Sequence, residues 1–286
     1  MAVKVTSDST ADLGKYFAER GIAVTPLTVL LGDRTGLDGT EITPADIYEY
    51  FDKTRATPKT SAVSPEEYRK FFAEQTADGS EVVHFTISSD MSACYANAVS
   101  AAKEFKGVYV VDSRNLSTGI GLLVLYADDL AKAGLSGAEI KEKAEARRGA
   151  VRASFVVDNM TFLYKGGRCS GVAAFFASVL RIKPCISVVD GKMVVGKKYM
   201  GSTDKAIIKY AADITKSCPN PDPKYVFVTH SSARPEVVET VKREVLAAWP
   251  DVNIIETVAG ATITSHCGKG TLGVLFFADG SLRTAG

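Results

Sequence analysis

The sequence predicts an α/β fold in two units: residues 1–150 built on a parallel sheet, and residues 151–286 built on a mixed sheet. Two observations carry that prediction. Short, continuous apolar runs such as Val82 to Ile87 and Val108 to Val111 alternate with amphipathic helical patterns, as strands buried on both faces do. Beyond Arg147-Arg148-Gly149 the grammar changes. Runs at Cys185 to Val189 and Lys192 to Tyr199 flank Asp190-Gly191, a tight-turn signal that requires antiparallel pairing.

In chain order, Val3-Lys4-Val5 reads as a strand leading into Thr6-Ser7-Asp8-Ser9-Thr10 and a helical pattern with Leu13, Tyr16 and Phe17 on one face. Thr43-Pro44-Ala45-Asp46 opens a helix that turns Ile47, Tyr50 and Phe51 inward. Ser64, with Pro65 next and Glu67 three residues on, opens another that carries Tyr68, Phe71 and Phe72. Ile87-Ser88-Ser89-Asp90-Met91-Ser92 follows a strand and leads into Tyr95, Ala98, Val99 and Ala102 at helical spacing. Ser136 with Glu139 caps one more helix. In the second unit a helix is expected from about Thr203 to Lys216, a strand at Tyr225 to Thr229 and a helix opened by Pro235. Strands near Val252 to Ile255 and Gly273 to Phe277 close the set.

Composition excludes several functions. A formal net charge of +1 offers no footprint for nucleic acid or an anionic membrane. The longest strongly apolar run, Gly171 to Leu180, stops at Arg181, short of the ~20 residues that span a bilayer. Met-Ala-Val-Lys-Val enters a strand directly, so a cytoplasmic protein is expected. Five widely spaced cysteines without a Cys-x-x-Cys pair argue for reduced, buried thiols and against a zinc site.

Familiar catalytic signatures fail. Gly268-Lys269-Gly270-Thr271 lacks the earlier glycine and the adjacent Lys-Thr of a phosphate loop. Gly119-Ile120-Gly121 lacks the third glycine of a dinucleotide fingerprint, and no Gly-x-Ser-x-Gly elbow occurs. His84 sits in an apolar strand and reads as core. His266 lies in a polar stretch, Thr264 to Gly268, read as a loop between strands, where it either faces a ligand or is merely exposed. Lys165-Gly166-Gly167-Arg168 is a turn whose arginine is free to pair with a carboxylate or phosphate. The apolar segment from Gly171 to Leu180 is either buried core or the wall of an apolar tunnel.

The remaining signal is two hydroxyl-bearing turns, Lys59-Thr60-Ser61 ahead of Ser64 and Ser88-Ser89 ahead of Ser92, each running into a helix. Hydroxyls there ordinarily cap, contributing about 1 kcal/mol. Unpaired N–H groups and the positive end of the helix dipole also suit an anion. Strands ending in hydroxyl-rich loops (Thr6 to Thr10, Ser88 to Ser92, Asp112 to Ser117, Thr229 to Ser232) place a crevice at their carboxyl ends.

The ordered set of segments resembles the DegV family of bacterial fatty-acid-binding proteins, over essentially the whole chain. The markers are Val5-Thr6-Ser7-Asp8-Ser9 with Asp12-Leu13, Thr60-Ser61, Ile87-Ser88-Ser89 with Ser92 and Tyr95, and Val111-Asp112-Ser113. They continue through Ser117-x-Gly119-x-Gly121, Lys165-Gly166-Gly167-Arg168, Ile182-Lys183-Pro184, Asp190-Gly191 and His266-x-Gly268-x-Gly270. The family's Ser-Gly-Thr-Tyr reads Ser92-Ala93-Cys94-Tyr95 here, and its Gly-Pro-Gly reads Gly268-Lys269-Gly270.

The resemblance implies an N-terminal parallel three-layer sandwich and a C-terminal two-layer mixed sheet, with a long-chain fatty acid such as hexadecanoate or octadecenoate buried between them. It implies that Thr60 and Ser92 hold the carboxylate and that His266, with Arg168 and Ser61 nearby, lies at the head group. No cofactor and no catalysis are implied; a separate kinase phosphorylates the bound acid, and the acyl group passes to phospholipid synthesis. A monomer is expected, without a transmembrane segment and with membrane contact no more than transient. Physics is compatible: at roughly 0.8 kcal/mol per methylene, a fourteen-methylene tail offers about 11 kcal/mol before ordering costs. The rival readings are a hydrolase or acyltransferase with Ser92 or Ser89 as nucleophile and His266 as base, and a lipid-responsive regulatory module.

Overall fold

The computed structural model describes residues 2–170 and 182–278; the apolar segment 171–180 therefore lies outside the described residues. The first unit opens with β1 (Val3–Asp8), α1 (Tyr16–Arg20), β2 (Ala23–Thr25), β3 (Thr28–Leu31), β4 (Arg34–Leu37), α2 (Pro44–Thr54) and β5 (Lys59–Ser61). It continues with α3 (Pro65–Thr76), β6 (Glu81–Thr86), α4 (Cys94–Ala102), β7 (Val108–Asp112), α5 (Thr118–Lys132) and α6 (Gly137–Arg147).

Strands β2-β1-β6-β7 form an all-parallel sheet. The α3–α4 and α5–α6 pairs pack against it as the outer layers. Its central strands, β1 and β6, are buried along most of their length because both faces are covered. His84 is at the middle of β6, fully buried among the rings of Tyr68, Phe71 and Phe72, and its Nδ1 lies 2.9 Å from Thr6 Oγ1. Burial pushes its pKa down to about 3, so it is a neutral core residue, as the apolar strand foretold. The expected capping boxes form at Ser64–Glu67 and Ser136–Glu139, and a third forms at Thr43–Asp46.

A small antiparallel sheet, β4-β3-β5, was not foreseen from the sequence. It changes the reading of one hydroxyl turn: Thr60 pairs with Val29 and Ser61 with Thr28, so both belong to a strand.

The second unit comprises β8 (Val151–Arg152), β9 (Ser154–Val156), α7 (Thr161–Gly166), β10 (Cys169–Ser170), β11 (Ile182–Val189), β12 (Lys192–Met200) and α8 (Thr203–Ser217). It closes with β13 (Val226–Ser231), α9 (Pro235–Ala248), β14 (Ile254–Val258), α10 (Ala261–Cys267) and β15 (Thr271–Phe277). Strands run β10-β12-β11-β9-β15-β13-β14, with parallel and antiparallel neighbours. Helices α8 and α9 pack together against this sheet. The β11–β12 hairpin turns at Asp190 (φ 47°) and Gly191 (φ 82°), the pair of left-handed residues that its sequence promised. The stretch read as a loop around His266 is instead α10, a short helix, and His266 lies in its last turn.

All five cysteines are free thiols. Helix α5 lies between the units: Ile120, Leu122, Leu123, Val124 and Leu125 are fully buried, in one cluster with Tyr225, Phe227, Leu275 and Phe277 of the second sheet. Gly119 and Gly121 let the first turn of α5 lie close against the preceding loops of its own unit. A Cβ on Gly121 would sit 2.9 Å from Leu13 Cδ2, and one on Gly119 would sit 2.7 Å from Asn115 Oδ1.

Candidate functional site

Between the two units lies a cavity of about 290 Å³. Thr60, Ser61, Ser92, Arg168 and His266 all line it, although they come from a strand, a loop, a turn and a short helix spread over the chain. Leu27, Ile87, Met91, Leu116, Phe155, Leu163, Met193, Ile263 and Leu275 supply apolar wall. The loops after β6 and β7 and the carboxyl end of β13 border it, as expected for the carboxyl ends of strands in an α/β sheet.

Thr60 and His266 meet directly. Thr60 Oγ1 and His266 Nε2 share a hydrogen bond of 2.9 Å. The other ring nitrogen, Nδ1, is buried without a hydrogen-bond partner among the described residues. Desolvation, with the positive charge of Arg168 nearby, pushes the His266 pKa down to about 4. The imidazole is therefore neutral at neutral pH.

Gly166, in the last turn of α7, makes room for the ring; a Cβ there would fall 2.5 Å from Nδ1. Arg168 is exposed, and its Nη1 donates to the Gly166 carbonyl at 2.6 Å. The stretch Lys165 to Arg168, read as a turn, is in part the end of α7: Lys165 and Gly166 are helical, Gly167 is the left-handed C-cap at φ 68°, and Arg168 lines the cavity.

Ser92 is half-buried and stands one residue before Ala93, the N-cap of α4; its Oγ accepts from Cys94 N, the first N–H of the helix, at 3.3 Å. Its hydroxyl donates to Cys94 Sγ at 3.2 Å. Thiol sulfur is a weak acceptor, so that proton is easily redirected to a better one. Ser61 is exposed, and its Oγ donates to Ala62 O at 3.5 Å. Ser64 lies outside the cavity lining and keeps its capping role.

The arrangement is poor for nucleophilic catalysis. A serine nucleophile needs a base within hydrogen-bond reach and an acid that orients the base. His266 is bonded to Thr60 rather than to Ser92 or Ser89, and no carboxylate meets its Nδ1. Ser89 donates instead to Asp112 Oδ2 at 2.6 Å. Cys267 is buried, and burial pushes its thiol up to about 12, far from a reactive thiolate. Among the described residues, no group of three or more His, Cys, Asp or Glu is placed to hold a metal.

Ser117, Thr229 and Ser231, which fall in the stretches the sequence marked for their hydroxyls, also line the cavity; Thr271, which begins β15, carried no such signal and was missed. Ser117 has φ 50° and ψ −143°, a backbone strain that its sequence does not announce.

The profile of the DegV family, described as uncharacterised proteins, matches residues 2–279. The chain belongs to the DegV family. A DegV domain-containing protein of Streptomyces coelicolor is 33% identical over 280 residues, covering 96% of this chain and 97% of the relative. Among solved structures, a DegV protein of Thermus thermophilus described for fatty acid binding superposes with a TM-score of 0.89 at 30% identity, over 97% of this chain and 99% of that one. A stearic-acid-binding protein of Eubacterium ventriosum superposes with a TM-score of 0.85 at 26% identity, over 99% of this chain and 100% of that one. The DegV architecture and the order of its segments are thus shared along the whole chain. No helix among the described residues is long and apolar enough to cross a membrane.

Proposed function

We propose that this DegV protein binds a long-chain fatty acid in the inter-unit cavity and holds its carboxylate with the hydroxyls of Thr60 and Ser92. The observation that carries the reading is the convergence of Thr60, Ser92 and a neutral His266 on one apolar-walled cavity. Relatives described as fatty-acid-binding, at a TM-score of 0.89 in one case, support it. With Nε2 protonated, His266 donates to Thr60 Oγ1, which frees the threonine proton for a carboxylate oxygen. Ser92 turns its proton from the weak thiol acceptor to the other oxygen. Each such charge-assisted bond contributes roughly 1.5–3 kcal/mol. The apolar walls Phe155, Met193 and Leu275 take the tail, whose burial dominates affinity.

In this reading the carboxylate is held by hydroxyls and a neutral ring; among the described residues no lysine lines the cavity, and the one lining cation, Arg168, stands at an exposed position. That is the arrangement of a site that presents a head group rather than locking it. The protein then acts as a cytoplasmic, monomeric carrier without catalysis of its own. It shows the carboxylate to a separate kinase, for onward passage of the acyl group to phospholipid synthesis, with His266 and Arg168 accommodating the phosphorylated product.

Organic extraction of freshly purified protein followed by mass spectrometry tests the binding. Near-stoichiometric fatty acid, hexadecanoate or octadecenoate in length class, is expected. Empty extracts combined with no uptake of added fatty acid would refute the reading.

A further inference from the structure

The helix that carries His266 is anchored at its other end by two buried carboxylates of the first unit. Gly260 N donates to Asp12 Oδ1 at 2.8 Å, and Ala261 N donates to Asp38 Oδ1 at 2.8 Å. These are the first N–H groups of α10, which would otherwise have no partner in the helix. Each carboxylate is fixed through its second oxygen: Ser117 Oγ donates to Asp12 at 2.5 Å, and Ser9 Oγ donates to Asp38 at 2.8 Å. Asp12 and Asp38 are 3% and 4% exposed, so water does not compete for these bonds. Asp12 adopts a left-handed backbone, φ 51°, an uncommon conformation for a residue other than glycine.

The fit is tight. A Cβ on Gly260 would lie 3.1 Å from Asp12 Oδ1 and 3.2 Å from Asp38 Oδ1, closer than most real contacts. His266 follows the anchored Ala261 by five positions, about a turn and a half of helix, so the anchor and the Thr60–His266 hydrogen bond sit on one short element. A rigid element that short transmits a shift at one end to the other with little loss.

We propose that Asp12 and Asp38 are positioning residues for the head-group site: by capping α10 from across the unit boundary they fix where His266 meets Thr60. They do not touch the ligand. Their effect is on the direction of the Thr60 hydroxyl, which His266 Nε2 sets. The part of this inference that concerns ligand affinity rests on the fatty-acid reading above; the placement of His266 does not.

The test compares Asp38→Ala with Asp38→Asn in the full chain at neutral pH. Asparagine keeps a carbonyl oxygen for Ala261 N, whereas alanine removes it. Three readouts are taken: nitrogen NMR shifts of the His266 ring in delipidated protein, hydrogen exchange of the α10 amides, and affinity for octadecenoate. For Asp38→Ala the expected result is His266 shifts like those of Thr60→Ala, at least tenfold faster exchange in α10, and about tenfold weaker fatty-acid binding. Asp38→Asn should stay within about threefold of wild type in exchange and in affinity. Thr60→Ala should weaken binding without altering α10 exchange, which separates positioning from contact.

If Asp38→Ala does not fold, Gly260→Ala, whose methyl presses on both carboxylates, is read in the same way. An Asp38→Ala protein with unchanged ring shifts and unchanged α10 exchange overturns the proposal, as does an Asparagine variant as impaired as alanine. If the ring shifts and exchange change as expected but wild type takes up no octadecenoate, the positioning stands and the fatty-acid reading fails.

Discussion

Thr60 and His266 stand 206 positions apart in the chain and 2.9 Å apart in space, joined by a single hydrogen bond across the boundary between the two units. The proposed head-group site therefore needs both units docked, and its polar parts can be removed one at a time.

Thr60→Val keeps shape and removes the hydroxyl. If that hydroxyl holds the carboxylate, octadecenoate binding should weaken by roughly ten- to a hundredfold, the worth of one charge-assisted hydrogen bond. Ser92→Ala should do the same and additionally lower stability by about 1 kcal/mol, because Ser92 Oγ also accepts from Cys94 N at the start of α4. Competition binding and thermal melts measure the two effects. Loss of stability without loss of binding would confine the role of Ser92 to the start of α4.

Gly166→Ala probes the space beside the imidazole. Its backbone is not left-handed, so the cost is steric: the new methyl would meet His266 Nδ1 at 2.5 Å. The ring must move, and fatty-acid retention should fall although no ligand contact has been mutated. NMR of the His266 ring checks the displacement directly.

Two buried titrating groups pull stability in opposite directions with pH. Burial raises Asp8 to about 6, above its unfolded value of 3.8, so its contribution is fully present below about 3.8 and is lost as pH rises through 6. Burial lowers His84 from 6.5 to about 3, so its contribution is fully present above 6.5 and is lost as pH falls toward 3. Relative to wild type, Asp8→Asn should become less stable on acidification from pH 6 to 4, by about 1.4 kcal/mol per unit. His84→Phe should show the reverse trend over the same range. Denaturant midpoints measured against pH give both slopes.

We propose residues 1–150 and 151–286 as units of architecture but not of independent folding. Strands sort cleanly between the sheets at Val151, yet α5 shares one apolar cluster with Phe227, Leu275 and Phe277 of the second sheet. Arg20 also donates to Tyr225 OH, and Arg147 pairs with Asp222 while lying 3.8 Å from the Phe277 ring centre. A fragment of residues 1–150 should accordingly bind a dye for exposed apolar surface and lack a cooperative melt. A sharp two-state transition of that fragment would contradict the shared core.

What was legible in the sequence had a local cause. The turn at Asp190-Gly191, the boxes at Ser64–Glu67 and Ser136–Glu139, and the helix opened by Pro235 are each written within four residues. What was missed depends on distant partners. Helix α10 is rich in β-branched residues, Thr262, Ile263 and Thr264, which disfavour a short helix; carboxylates more than two hundred positions earlier hold its first turn. Thr60 reads as a turn because β5 is three residues long, and only its pairing with β3 makes it a strand. Helix α5 was not foreseen because it is buried on nearly every side, which erases the amphipathic stripe that betrays most helices.

The β11–β12 turn bears on residence time. Ser88 Oγ donates to Gly191 O at 2.7 Å, Arg114 donates to Asp190 O, and Arg114 is paired at 2.6 Å with Asp90. Met193, two residues past the turn, is part of the cavity wall. If the proposed lipid leaves on that side, these bonds must break first, and its residence time should follow the opening of the turn more than the number of its methylenes. Acids of different length would then differ in affinity yet depart at similar rates, and loosening the turn, as Gly191→Ala should by crowding Arg114 and Ser88, would shorten the stay of all of them alike.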